Sequence, residues 1–440
     1  MEEQPNIFYG KTTSLCEECL KPIETNIFVE DDNVFYLKYC PVHKEQKTLI
    51  STDFSYYKQC REARISNKLT NTKFKIDKGC PYDCGLCPDH EQHTAMGIVE
   101  ILDECNLNCP TCLAASHPGA GKIKSIVEVE QMFDTFVEYE KHPDLLMISG
   151  GEPTIHPNIF EILDLAKTKP VKHIMLISNG VKIAEDNEFV NKLKKYKDNF
   201  EIYLQFDSLN IEVTTHIRGI NLSDIRLKAL KNLEDAEIHS TLICIVKKGI
   251  NENEMSDVID FALKYKFVRG VTFQPCKITG RNERFDKNTN YITLSEVRGT
   301  IIKYSKHFST FDLIPHPLNP ENICIGYLLK TKEEIKPVTK FLFRDSRPSK
   351  KCEIEFPYSD QLKSKIYFTP EFDCTDVKYE NLFRVTIVSF LDKFNFCTSS
   401  VKQSCIHFIT TRGDLIPIDT YYLFYNDNAQ NSTPTSYIHE

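Results

Sequence analysis

Tryptophan is absent from the 440 residues, a gap that accompanies abundant Lys, Asn and Ile and reflects genome composition, not activity. Also missing is any apolar run near the roughly eighteen residues that suggest a membrane span. The opening MEEQPNIFYG has neither a basic nor an apolar leader segment. The sequence therefore predicts a cytoplasmic protein without a transmembrane segment. Positive charge is not in excess, and the net charge of −8 gives no electrostatic reason to expect nucleic acid as a partner. No repeat of fixed period points to a solenoid. What remains is the composition of a globular chain, 41% hydrophobic and 26% charged, long enough for one large α/β core with appended modules.

Cysteine is what the chain has in plenty. Seventeen thiols would suit a disulfide scaffold only in a short secreted protein; here they cluster at CxxC and CxxxCxxC spacings, which predicts metal binding in a reducing compartment. The stretch DECNLNCPTCLA, residues 103–114, sets Cys105, Cys109 and Cys112 among Asn106, Asn108, Pro110 and Thr111. Three thiols in eight residues with such neighbours cannot all pack into one apolar core. They read as metal ligands.

Residues 1–60 read as a metal module and 61–95 as a second cysteine-bearing segment. Over 96–285 short apolar runs, IVEIL, DLLMISGG, HIMLISNG, EIYLQFDS, HSTLICIV and VRGVTFQP, alternate with amphipathic stretches at 127–141, 158–167, 188–196, 222–233 and 252–264. Buried parallel strands alternating with helices give this pattern, and six such units predict an α/β fold built on a partial (β/α)6 TIM barrel. Residues 286–440 lose the rhythm and read as a C-terminal α+β extension.

A 4Fe-4S cube takes a ligand on each of four irons, and three thiolates leave one iron open to an amine and a carboxylate. Cys105, Cys109 and Cys112 follow the first strand of the barrel-like run, where such sheets present active-site loops. This Cys-x3-Cys-x2-Cys resembles the signature of the radical S-adenosylmethionine (SAM) superfamily. The resemblance implies a 4Fe-4S cluster on these three cysteines, cleavage of S-adenosylmethionine to a 5′-deoxyadenosyl radical, and electrons from a flavodoxin or ferredoxin. It also implies cosubstrate contacts at successive strand ends: Gly150, Gly151, Glu152 and Pro153 in ISGGEP for the ammonium, and Ser178 and Asn179 in LISNG for ribose or carboxylate. Gln205 and Asp207 follow in YLQFDS, Arg218 in HIRGI for the carboxylate, and Phe273 to Pro275 for adenine. Gly-Gly and Asn-Gly are also ordinary turn formers; their recurrence at one strand end after another favours the functional reading.

The remaining thiols refine this. CEEC at Cys16 and Cys19, followed by Cys40 and His43 in CPVH, predicts two knuckles joined by a hairpin around Zn or a single Fe. Cys80, Cys84 and Cys87 repeat the radical-site spacing without a GGEP-like strand directly after, and predict an auxiliary 4Fe-4S cluster. Cys405, Cys324 and Cys276, in that order, are candidates for its fourth ligand, with His90 or His93 as alternatives. Cys60, Cys244, Cys352, Cys374 and Cys397 lack ligand-like neighbours and read as structural.

Taken with GCPYDCGLCPDHEQHT, SGGEPTIHP, LQFDS and the C-terminal CIHFITTRGDLIPIDTYYLFYN, the chain resembles the radical SAM group of tetraether lipid synthases and pterin methylases along nearly its whole length. This implies C–C bond formation on a lipid or a small molecule such as a pterin. Leu318 and Ser404 stand where related chains tend to carry cysteine, which leaves only Cys324 and Cys405 for a second auxiliary cluster. Peptide modification, and a metal-stapled binding protein without catalysis, are the competing readings.

Overall fold

The computed structural model describes residues 7–65, 69, 72, 76–341, 378–426 and the short strands 352–355 and 365–368. Cys374 and the side chain of Cys352 lie outside the described residues.

The N-terminal module is a four-stranded antiparallel sheet in chain order: β1 (Ile7–Leu15), β2 (Pro22–Glu30), β3 (Asn33–Cys40) and β4 (Lys44–Ser51). Alternation along β3 buries Val34, Tyr36 and Lys38 and leaves the intervening side chains more open, as a sheet with one covered face requires. A helix, α1 (Phe54–Glu62), follows; Asp53 caps it by accepting from the Tyr56 amide.

Six strands then form a continuous parallel run: β5 (Met96–Glu100), β6 (Leu145–Ser149), β7 (His173–Ser178), β8 (Phe200–Gln205), β9 (Ser240–Val246) and β10 (Val268–Pro275). Helices including α2 (Ile126–Glu140), α3 (Ile159–Thr168), α4 (Ser223–Asp235) and α5 (Met255–Ala262) pack on the outer face. A capping box, Ser125 with Glu128, starts α2. Alternate strand residues divide the core in two. Val99, Ile148, Leu176, Leu204 and Phe273 meet the helices, while Ile98, Met147 and Met175 face inward onto Phe408, Ile418 and Tyr422.

The tail is not a separate appendage. Its strand β11 (Ile323–Lys330) runs antiparallel to β12 (Leu382–Val388), which pairs parallel with β10; at the other edge β13 (Ile406–Ile409) pairs parallel with β5 and antiparallel with β14 (Leu415–Pro417). The tail thus covers both edges that the six-stranded run would leave open. Among the described residues no helix is long and apolar enough to cross a membrane.

Candidate active site and metal centres

Cys105, Cys109 and Cys112 occupy the loop after β5, and three strand-end contacts fix that loop. The amide of Gly151 donates to the Leu102 carbonyl (2.9 Å) and the Glu152 amide to the Glu104 carbonyl (3.0 Å). Arg281 donates from Nε to the Cys109 carbonyl (2.7 Å) and from Nη2 to the Ser116 carbonyl (2.7 Å), and it pairs in strand register with Cys112. Lys247 Nζ, at the end of β9, donates to Thr111 Oγ1 (2.8 Å). Adjacent glycines matter here: a Cβ on Gly151 would stand 2.0 Å from the Glu104 carbonyl oxygen.

The three thiols face one another's charge. Burial pushes Cys105 up to about 12, with Glu152, Cys112 and Cys109 adding to the rise, while the Leu107 amide donates to its sulfur. Burial also raises Cys109, which Arg218 opposes. Three thiolates cannot share this space without a cation among them, so the donor set fits a cationic iron–sulfur group.

Glu152 ties two strand ends together. Its Oε1 accepts from Thr154 Oγ1 (2.6 Å) and Ser178 Oγ (2.9 Å), and its Oε2 from the Asn179 amide (2.7 Å). Asn179 Nδ2 in turn donates to Asn106 Oδ1 (2.7 Å), inside the cysteine loop. Glu152 and Asn179 therefore stand beside Cys105, with Ser178 bonded to Glu152. Gln205 stands half-buried at the end of β8.

Asp207 and Arg218 make a bidentate pair (2.7 and 2.8 Å), and Arg226 from α4 joins through Nη2 (2.9 Å). Burial alone would raise Asp207; the two guanidinium groups override it and hold the carboxyl at about 2. Arg218 also feels Cys109 and Cys112. Asp207 is thus the anchor of Arg218, and Arg226, a single arginine in an amphipathic helix, gave no signal in the sequence.

Phe273 is a correction. Strand alternation turns its ring into the helix-side core, where it is wholly buried. Gln274 and Pro275 instead line a small cavity with Cys112, Lys277 and Arg281. The sequence also gave no sign of Tyr421 and Tyr422, whose hydroxyls donate to the Glu100 carboxylate (2.9 and 3.1 Å), with Tyr422 beside Cys112.

Cys80, Cys84 and Cys87 are brought together: Cys80 and Cys84 interact directly, and Cys87 adds to the charge felt by Cys84. Tyr425 Oη braces their loop by donating to the Pro81 and Tyr82 carbonyls. The structure does not gather the expected fourth ligands there. Cys324, on β11, meets Tyr56 beside Cys60; Cys405 sits in the inward core next to Asp419; Cys276 lies against Asn282 and Lys247. His90 and His407 form a buried pair (3.2 Å), with His90 also on the Ser404 carbonyl, and His93 meets Glu140. Burial lowers His90 to about 4. Cys60, Cys244 and Cys397 pack in hydrophobic core.

At the N-terminus Cys16, Cys19, Cys40 and His43 place their ligand atoms within 4.8 Å of one another. Amides of His43 and Val42 help hold the Cys40 thiol down at about 6, so it ionises readily near neutral pH. Two knuckles facing across a β2–β3 hairpin thus bring four metal-ligating groups together, the number a structural zinc site uses.

Residues 99–262 match the radical SAM superfamily and residues 8–52 the HMPTM N-terminal zinc ribbon domain. Residues 99–262 thus form a radical SAM domain, and a zinc-ribbon domain stands before it. It is 26% identical to 7,8-dihydro-6-hydroxymethylpterin dimethyltransferase of Methanocaldococcus jannaschii, over 96% of this chain and 94% of that protein. A mycofactocin maturase, MftC of Mycolicibacterium smegmatis, is 27% identical over 38% of this chain and 41% of its own length. Streptococcus suis SuiB is a structural neighbour at 15% identity and a TM-score of 0.39, over 48% of this chain and 47% of that one.

Proposed function

We propose that the chain is a radical SAM methyltransferase that forms C–C bonds on a small pterin-type heterocycle. The observation that carries this reading is the end-to-end match to the pterin dimethyltransferase, which includes the zinc ribbon and the tail as well as the barrel. The maturase match, by contrast, covers 38% of the chain.

Cys105, Cys109 and Cys112 would hold a 4Fe-4S cluster, and Gly150 to Pro153, Ser178, Asn179 and Gln205 would surround the cosubstrate. Bound together, the cluster and S-adenosylmethionine supply a 5′-deoxyadenosyl radical able to remove hydrogen from a weakly activated carbon. Glu152 Oε2 offers its free lone pair to an ammonium. Arg218, kept charged by Asp207, faces the thiol loop and balances its negative charge. Arg281 and Lys247 hold the loop so that Cys112 borders the cavity lined by Gln274 and Lys277. Cys80, Cys84 and Cys87 hold an auxiliary cluster, and Cys16, Cys19, Cys40 and His43 a zinc ion. A flavodoxin or ferredoxin supplies electrons, and the protein works in the cytoplasm.

The test is isotope transfer. Reduced enzyme given S-adenosylmethionine and deuterated 7,8-dihydro-6-hydroxymethylpterin should form deuterium-bearing 5′-deoxyadenosine. Unlabelled 5′-deoxyadenosine and unchanged pterin would refute the substrate assignment.

A further inference from the structure

Cys112 shares a cavity of about 40 Å³ with a second thiol, that of Cys276, which directly follows β10. Thr111 and Cys112 bring the cysteine loop to this wall, Ile245 and Gln274 the ends of β9 and β10, and Phe390 the tail. The cavity therefore lies at the carboxyl ends of the strands, against the loop that would carry the cluster. Its volume has room for roughly three waters, the bulk of a one-carbon arm such as hydroxymethyl and less than a ring.

Cys276 is 4% exposed, and Asn282 Nδ2 donates to its sulfur (3.2 Å). Asn282 Oδ1 accepts from Lys247 Nζ (3.1 Å), which also donates to Thr111 Oγ1 (2.8 Å), so a chain of side chains ties the second thiol to the cysteine loop. Burial raises the Cys276 thiol, against Lys247, Asn282 and Lys277, and it keeps its proton near neutral pH. Lys277 lines the same cavity; it is 6% exposed, and its Nζ has no hydrogen-bond partner. A buried ammonium without an acceptor is costly, and an oxygen on an entering arm relieves that cost. With Cys105, Cys109 and Cys112 read as cluster ligands, Cys276 is a thiol of this wall that retains its S–H bond.

We propose that this cavity receives the reacting carbon of the substrate and that Cys276 is a further catalytic residue, which gives that carbon a hydrogen atom. The 5′-deoxyadenosyl radical takes hydrogen from the substrate and leaves a carbon-centred radical. Cys276 quenches it: a C–H bond forms as the S–H bond breaks, one proton and one electron move together, and a cysteine thiyl radical remains. One electron from the flavodoxin- or ferredoxin-class reductant and one proton from water restore the thiol. Lys277 Nζ donates to an oxygen on the arm and holds it in place. The assignment rests on the pterin reading above.

Deuterium wash-in tests this. Anaerobic holoenzyme in D2O carries an S–D group at Cys276. Given unlabelled 7,8-dihydro-6-hydroxymethylpterin, S-adenosylmethionine and dithionite, wild type should place solvent deuterium on a carbon of the recovered pterin. The quantity read is deuterium in the pterin per 5′-deoxyadenosine formed, a ratio that partial folding of a variant does not change. It should fall at least tenfold in Cys276→Ala and equally in Cys276→Ser, whose hydroxyl can still meet Asn282 but holds its hydrogen too strongly to release it. Both variants should also accumulate a carbon-centred radical visible by electron paramagnetic resonance. A merely structural thiol predicts the reverse, with Cys276→Ser restoring the wild-type ratio. Should Cys276→Ala fail to fold, Cys276→Ser carries the same decision. A ratio within twofold of wild type in Cys276→Ser would overturn the role of Cys276 and leave the pterin reading intact, as would unlabelled pterin from wild type that forms 5′-deoxyadenosine only when pterin is present. No pterin-dependent 5′-deoxyadenosine from wild type would overturn both.

Discussion

Asp207 accepts from two arginines on different helices, and this one carboxylate positions a guanidinium that also feels Cys109 and Cys112. Asp419 is the contrasting case: burial raises it to about 6, against the Leu391 amide, Ser404 and Lys277. The folded protein keeps its proton through the window from the unfolded value, about 4, up to 6, while the unfolded chain releases it. Asp419 therefore subtracts stability increasingly as pH rises across that window. Asp419→Asn should stabilise the protein by about 1 kcal/mol more at pH 7 than at pH 5. Denaturant unfolding of both proteins at the two pH values measures this; an equal difference at both would show that Asp419 titrates normally. Neither the pairing of Asp207 nor the burial of Asp419 was legible in the sequence, because each depends on groups brought in from distant elements.

Among elements, the turn after β6 does most to set the site. Gly150 has φ +135°, and Cβ atoms on Gly150 and Gly151 would stand 2.3 Å from the Leu102 and 2.0 Å from the Glu104 carbonyl oxygens. The turn is backbone pressed on backbone, and the cysteine loop is the partner that would have to move. Gly151→Ala should lose at least half of its cluster-bound iron and sulfide while keeping the N-terminal metal, as elemental analysis of both proteins would show. Wild-type iron content in the variant would contradict this packing. These strand ends were legible because short apolar runs followed by small polar residues are local signals. Helix α2, expected at 127–141, spans Ile126–Glu140. The destination of the tail was not legible, since pairing β12 with β10 and β13 with β5 is a long-range choice that periodicity does not encode. Phe273 was misplaced by one step of strand alternation: its ring joins the helix-side core, and Gln274 lines the cavity.

Across the whole molecule, the metal modules are built into the barrel. Lys38 of the ribbon donates to the Phe394 carbonyl (2.7 Å), Lys287 Nζ meets Glu17 (2.6 Å), and Leu15 and Leu20 pack with Cys84, Phe396 and Phe424. The ribbon, the Cys80 loop and the tail therefore share one core beside the site, so substrate recognition can draw on all of them. The central claim is that Cys105, Cys109 and Cys112 bind the cluster that cleaves S-adenosylmethionine. The most direct test reconstitutes wild type and Cys109→Ala anaerobically, counts iron and sulfide, then adds S-adenosylmethionine and dithionite and assays 5′-deoxyadenosine. Wild type should hold about four more irons than the variant and should alone form 5′-deoxyadenosine. Equal iron in the two, or no cleavage by fully loaded wild type, would contradict the claim.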